Sequence, residues 1–149
     1  MMRALVQRVA RAEIRVAGER VSRIGPGLLI LLGVGPADGK EEVTRLATKI
    51  ARARIFPDER GLMNRDLEAF GGAVLVVSQF TLFADLKRGN RPGFSRAAAP
   101  ERAEALYHEF IAEFEALGFE VASGHFGTEM EVELVNMGPV TLWYDTDEL

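Results

Sequence analysis

The chain has 149 residues, enough for one domain with a core of its own. Hydrophobic residues make up 48% and charged residues 27%, the balance expected of a soluble globular protein, and a net charge of −4 argues against indiscriminate binding to nucleic acid. The lack of cysteine excludes disulfides and thiolate metal sites, and two histidines, His108 and His125, are too few for a histidine metal cluster.

Residues 2–9 alternate loosely and read as a first strand. Arg3, Gln7, Arg8 and Arg11 interrupt any apolar core of a secretory signal, so a cytoplasmic location is expected. Ile14-Arg15-Val16 and Val21-Ser22-Arg23-Ile24 flank Ala17-Gly18-Glu19 as the arms of a hairpin. After the turn Gly25-Pro26-Gly27, Leu28 to Val34 reads as a fully buried strand. It is far shorter than the ~20 residues that cross a bilayer, so no membrane partner is expected. Asp38 followed by Glu41 has capping-box spacing, and Val43, Leu46, Ala47, Ile50 and Ala51 recur as one helical stripe. Pro57 to Gly61 is a turn, and residues 64–70 read as a short helix or an irregular crossing.

Gly71-Gly72 then leads into Val74-Leu75-Val76-Val77, a strand buried on both faces. Instead of a plain polar turn the chain continues as Ser78-Gln79-Phe80-Thr81. Polar side chains at the end of a buried strand cost about 1–3 kcal/mol each if unsatisfied, so these have partners or face a ligand. The loop from Lys87 through Arg88 and Arg91 to Arg96 is basic and punctuated by glycine and proline. Pro100 opens a second helix whose buried face is Leu106, Tyr107, Phe110, Ile111, Phe114 and Leu117. His108 points away from that face, and His125 reads as a turn residue ahead of a catalytic base. Met130 to Leu134 alternates as a strand with one wet face, and Val140 to Tyr144 is the last strand. Proline lacks a ladder donor, so Gly138-Pro139 marks a break between Leu134-Val135 and Val140-Thr141, compatible with a cis peptide. These elements predict a single α+β domain over 1–149, an antiparallel β-barrel-like or strongly curved sheet with two main helices.

Charge is unevenly spread. Residues 1–25 hold six arginines, and 85–102 hold Lys87, Arg88, Arg91, Arg96 and Arg102, whereas 129–149 hold six carboxylates and no base. Local basic patches on an acidic protein can hold a phosphate backbone at one face. A metal would need carboxylate ligands, and no local carboxylate motif suggests one. Neither metal nor cofactor is expected.

Taken together, Ser78-Gln79-Phe80-Thr81 and Asn136-Met137-Gly138-Pro139-Val140-Thr141 closely resemble the signature pair of D-aminoacyl-tRNA deacylases. The resemblance extends through Leu5-Val6-Gln7-Arg8-Val9, Gly27 to Val34, Arg54-Ile55-Phe56, Arg91-Pro92-Gly93-Phe94-Ser95 and Pro100 to Tyr107. It implies a homodimer with the active site at the subunit interface and a cis Gly138-Pro139 inserted into the partner's pocket. By this resemblance the carbonyls of Gly138 and Pro139 hold the substrate amino group and leave no room for an L side chain. D-aminoacyl-tRNA and glycyl-tRNA, engaged at the 3′ end, are the implied substrates, with no DNA partner. Arg8 would support Gln79, Phe80 and Met137 would line the adenosine pocket, and Asn136 belongs to the same motif. Lys87, Arg88, Arg91 and Arg96 are the expected tRNA contacts.

Thr81 is the obvious nucleophile, with Ser78 behind it, but neither motif supplies a base. The preferred reading, which needs no protein base, is that the tRNA 2′-hydroxyl activates water while backbone N–H groups around Ser78 to Thr81 bind the oxyanion, a contribution of roughly 3–4 kcal/mol. Two other readings stay open: a non-catalytic RNA-binding β module, and a threonine-nucleophile hydrolase of small D-amino-acid derivatives.

Overall fold

In the computed structural model, which describes residues 1–149, one strand organises the sheet. This strand, β1 (Arg3–Val16), joins the two segments that the sequence pattern separates. One of its edges pairs antiparallel with β8 (Glu131–Asp145) over nearly its whole length. The other edge is shared by β2 (Glu19–Ile24) and β3 (Gly27–Gly33), both antiparallel to β1 and joined through Gly25-Pro26. The β1–β2 turn has Ala17 and Gly18 at φ +50° and +82°, the left-handed pair that a tight hairpin requires.

Beyond β3 the sheet changes character. β6 (Ala73–Ser78) lies parallel to β3, and β7 (Val121–Ser123) lies parallel to β6. The α+β class, the curved sheet and the two main helices match the sequence expectation, but the sheet is mixed rather than wholly antiparallel. The physical reason is that Leu28 to Leu32 and Val74 to Val77 are continuous aliphatic runs, which suit parallel strands covered on both faces. Each parallel pair needs a long crossover. Helix α1 (Lys40–Ala51) belongs to the first, together with the small hairpin β4 (Phe56–Pro57)/β5 (Met63–Arg65) and the single turn α2 (Leu67–Phe70). Helix α3 (Pro100–Ala116) belongs to the second.

Both long helices cover one face of the sheet. Val43, Leu46, Ala47 and Ile50 of α1, with Leu106, Phe110 and Phe114 of α3, bury against Ala4, Val6, Leu28, Ile30, Val74 and Val76. A smaller core of Val9, Ile14, Ile24, Leu29, Leu75 and Val77 fills the curl on the other side, where the Ser22 hydroxyl donates to the Ser123 carbonyl and nearly closes the barrel. No helix is long and apolar enough to cross a membrane.

The start of α1 lies one residue later than its sequence suggests. Gly39 is the cap, and its N–H donates to the Glu42 carboxylate at 2.8 Å, which holds that carboxyl below its usual range. Asp38 is instead buried and accepts from the Gly35 N–H and the Met1 amine, each at 2.6 Å.

Candidate active site

At Ser78 the chain stops being a strand because β3, its partner, has ended. The Gln79 N–H makes one last ladder-like bond to the Leu32 carbonyl at 2.7 Å, and Phe80–Phe83 then form a 3₁₀ turn. Gly33 permits this turn: a Cβ there would lie 2.9 Å from the Phe83 ring and 3.1 Å from the Gln79 carbonyl. Phe83 is buried, and the Arg3 guanidinium lies 4.6 Å over its ring while donating to the Leu82 carbonyl at 3.0 Å. The outward side of the turn is left open. Phe80 is 54% exposed and Thr81 is exposed, with the Gln79 amide donating to the Thr81 hydroxyl. Gln79 and Thr81 therefore satisfy each other on the open side of the turn and not inside the core.

Beside the turn lies a cavity of about 580 Å³. Ser78 and Phe80 form one wall, Leu32, Val34, Phe94 and Phe126 supply apolar surface, and Thr128, Glu129 and Met130 complete it. Phe94 meets Phe80 edge-on at 5.0 Å. Behind Phe126, Tyr107 packs at 5.9 Å and donates its hydroxyl to the Val76 carbonyl. Burial pushes its phenol up, so Tyr107 stays a neutral donor.

The second motif is an outward loop within β8. Register partners run from Gln7 with Thr141 to Val9 with Asn136, so Met137 to Val140 have no partner on β1. The Gly138-Pro139 peptide is cis, and Gly138 has φ +128°. Asn136 clamps the base of the loop: its side-chain oxygen accepts from the Val140 N–H at 2.9 Å and its amide donates to the Thr141 hydroxyl at 3.0 Å. Arg8 clamps the other side, donating from Nε to the Met137 carbonyl at 3.1 Å and from Nη1 to the Ile55 carbonyl at 2.6 Å. Within one chain Arg8 thus supports the Gly-Pro loop, where the sequence resemblance had it supporting Gln79. Met137 and Pro139 are exposed.

The two motifs do not meet in one chain. In the strand order β8-β1-β3-β6 they lie on strands three steps apart, about 14 Å in the hydrogen-bonding direction. They are also offset along the strands, since Ser78 is level with Leu32 and Ala4 whereas the loop stands opposite Arg8.

Residues 5–145 match the family model described as D-Tyr-tRNA(Tyr) deacylase. The chain belongs to this family. A relative from Symbiobacterium thermophilum named D-aminoacyl-tRNA deacylase is 54% identical over 148 residues, covering 99% of this chain and 98% of its own. Another of that name from Paracoccus denitrificans is 56% identical over 145 residues, covering 97% of each. Among solved structures, one described as c-Myc DNA Unwinding Element Binding Protein superposes with a TM-score of 0.90 at 36% identity, over 96% of this chain and 97% of its own. A probable eukaryotic D-amino acid tRNA deacylase shares the fold with a TM-score of 0.84 at 18% identity, over 96% and 98%.

For this family member the remaining sequence-derived candidates divide clearly. Lys87, Arg88, Arg91 and Arg96 are exposed on a loop closed by paired bonds between Asp85 and Gly93 at 2.7 and 3.0 Å. Phe94 brings that loop against Phe80. The Asp85 carboxylate accepts from the Lys87 N–H, so its recorded bond serves the loop and not Thr81. His108 is exposed beside Glu104, and His125 is exposed in its turn. No three metal-ligating side chains converge anywhere in the chain. Sequence reasoning missed Phe94, Phe126, Thr128 and Glu129 as cavity residues. Phe94 stood in the Arg91–Ser95 segment without a role, and the glycine-flanked turn at 124–127 was the hint to Phe126 and its neighbours.

Proposed function

We propose that this protein hydrolyses the ester bond of D-aminoacyl-tRNA, releasing tRNA and the free D-amino acid, in a pocket completed by a second copy of the chain. The observation that carries this reading is the placement of the two motifs. Each is exposed, each is held by its own hydrogen bonds, and they lie on strands three steps apart in the sheet. Between them the β8-β1-β3 layer has one face that the helices leave uncovered, carrying Leu5, Gln7, Leu31, Thr141 and Trp143, with Trp143 48% exposed. A two-fold axis through such a face sets opposite ends of the two copies against each other. The Gly138-Pro139 loop of one copy then meets the Gln79-Thr81 turn of the other.

In this arrangement the Gly138 and Pro139 carbonyls receive the substrate amino group, since neither residue has a partner on β1. The backbone bordering the amino-acid carbon leaves space for hydrogen or an outward D side chain, and an L side chain is excluded by collision. Glycyl-tRNA, having no side chain, is accepted. The terminal adenosine occupies the aromatic cavity beside Phe80. Because the Gln79 N–H is committed to Leu32, the oxyanion falls to the N–H groups of Phe80 and Thr81, the first in the 3₁₀ turn. The ribose 2′-hydroxyl next to the ester activates the attacking water. A cytoplasmic location, where charged tRNA is used, accords with this reading.

The test is hydrolysis of D-tyrosyl-tRNA against L-tyrosyl-tRNA by purified protein in the presence of EDTA. Rapid loss of the D ester alone is expected. Cleavage of neither ester above the buffer rate would overturn the proposal and favour a binding module without catalysis.

A further inference from the structure

Away from the motifs, the outward side of α1 forms a groove of about 940 Å³ lined by Lys40, Arg45, Lys49, Arg52 and Arg54, with Glu41 as its one acid. All five cations are exposed, and none lies in an ion pair. We infer that this groove seats the phosphate backbone of the tRNA acceptor stem, presented by the same copy whose Gly138-Pro139 loop enters the active site. The inference rests on the proposed function and adds the path of the RNA to it.

Three observations support it. The first is the charge pattern. A solvated helix face gains from opposite charges at i,i+3 and i,i+4. Arg45 has Glu42 and Glu41 on its N-terminal side, but toward the C-terminus Arg45 and Lys49 are like charges at i,i+4 and Lys49 and Arg52 are like charges at i,i+3. Such repulsion is relieved when a polyanion neutralises it. It is also local, because the chain as a whole carries −4.

The second observation is shape. The apolar stripe of α1 is fully committed to the core, so the cations are held on a rigid rod of 12 residues. At about 18 Å this rod is long enough to follow several consecutive phosphates. Thr48 adds a hydroxyl donor along the same groove, whereas the Thr44 hydroxyl donates to Glu113 of α3 at 3.2 Å.

The third observation is continuity with the site. The groove ends at Arg54, whose guanidinium is fixed by the Asn64 carbonyl at 2.9 Å. The next residue, Ile55, offers its carbonyl to Arg8, and the same Arg8 guanidinium holds the Met137 carbonyl at the root of the Gly-Pro loop. One side chain therefore links the end of the basic groove to the loop that grips the aminoacyl group. A strand whose 3′ end reaches that loop is led directly onto α1. Contacts of this kind fix position without reading sequence.

The experiment uses the full-length protein with Lys49→Gln/Arg52→Gln, two exposed residues that make no side-chain hydrogen bond of their own. Unacylated tRNA binding is followed by fluorescence anisotropy between 50 and 200 mM salt, values chosen to span the range where counterion release is steep. The variant is expected to bind about tenfold or more weaker at low salt, with a salt slope shallower by roughly two. Lys49→Arg/Arg52→Lys should keep wild-type binding. In deacylation the loss should fall on KM, with the saturated single-turnover rate retained. Unchanged affinity and slope in the Gln variant would overturn the assignment. Binding is read without turnover, so a failed deacylase reading and a failed groove assignment are told apart.

Discussion

Thr81 holds its hydroxyl against the Gln79 amide, and no histidine, lysine or carboxylate is bonded to it. A hydroxyl nucleophile without a base is a poor one at neutral pH. The nearest carboxylate in sequence, Asp85, is occupied by the loop backbone. The side chain and the backbone of this residue therefore have separable roles. Thr81→Ala keeps the N–H and should leave the single-turnover rate within about tenfold of wild type. Thr81→Pro deletes that donor and should cost roughly 10²–10³, the usual loss for one oxyanion-hole hydrogen bond. Quench-flow with D-tyrosyl-tRNA measures both, and a thousandfold loss in Thr81→Ala would establish a covalent threonine instead. At this scale the sequence was informative about which residues matter and poor about what they touch. Ser78 to Thr81 stood out because they interrupt an aliphatic run. The bonds of Arg8 to Ile55 and Met137 span 47 and 129 positions, and nothing local in the sequence encodes them.

Among the elements, β8 is the strand whose regularity is broken for a purpose. Its four unpaired residues are framed by Asn136 on one side and Arg8 on the other, so the loop is a fixed protrusion and not a slack one. Gly138 is indispensable to that frame. A Cβ there would lie 2.8 Å from Val140 Cγ2 and 3.0 Å from Arg8 Nη2, at a φ of +128° that L residues avoid. Gly138→Ala should displace the loop and lower deacylation of D-tyrosyl-tRNA by about a hundredfold or more. The cost in stability should be about 1–3 kcal/mol, because the two cores are untouched. Thermal melting and single-turnover kinetics on one sample separate the effects, and near-wild-type activity would remove the loop from the site. The break at Gly138-Pro139 was legible because proline cannot serve a ladder. The parallel pairing of β3 with β6 was not. A run of aliphatic residues shows burial on both faces but carries no direction, which here is set by the crossover through α1.

For the whole molecule, the open face of β8-β1-β3 and the separation of the motifs have a joint consequence. In the proposed dimer each chain brings two half-sites, and the two-fold pair would hold two complete ones, each drawing the turn from one copy and the loop from the other. Trp143 is half exposed on this face, near the end of the edge strand β8, and lies against the Arg3 guanidinium at 5.7 Å. Trp143→Lys sets a second cation beside Arg3, and across a two-fold interface the charge is repeated by the partner. Sedimentation equilibrium should show wild type as a dimer and this variant as a monomer without deacylase activity. A stronger form of the prediction uses mixing. Gly138→Ala retains its turn and Thr81→Pro retains its loop, so a heterodimer of these two inactive chains has one intact site. After subunit exchange at equal concentration, half the dimers are mixed and each has one working site of two. Activity should therefore return to about a quarter of wild type. If each copy used both motifs of its own chain, no mixture would recover anything, and a mixture that stays inactive while exchange is verified by mass spectrometry would reject the shared site.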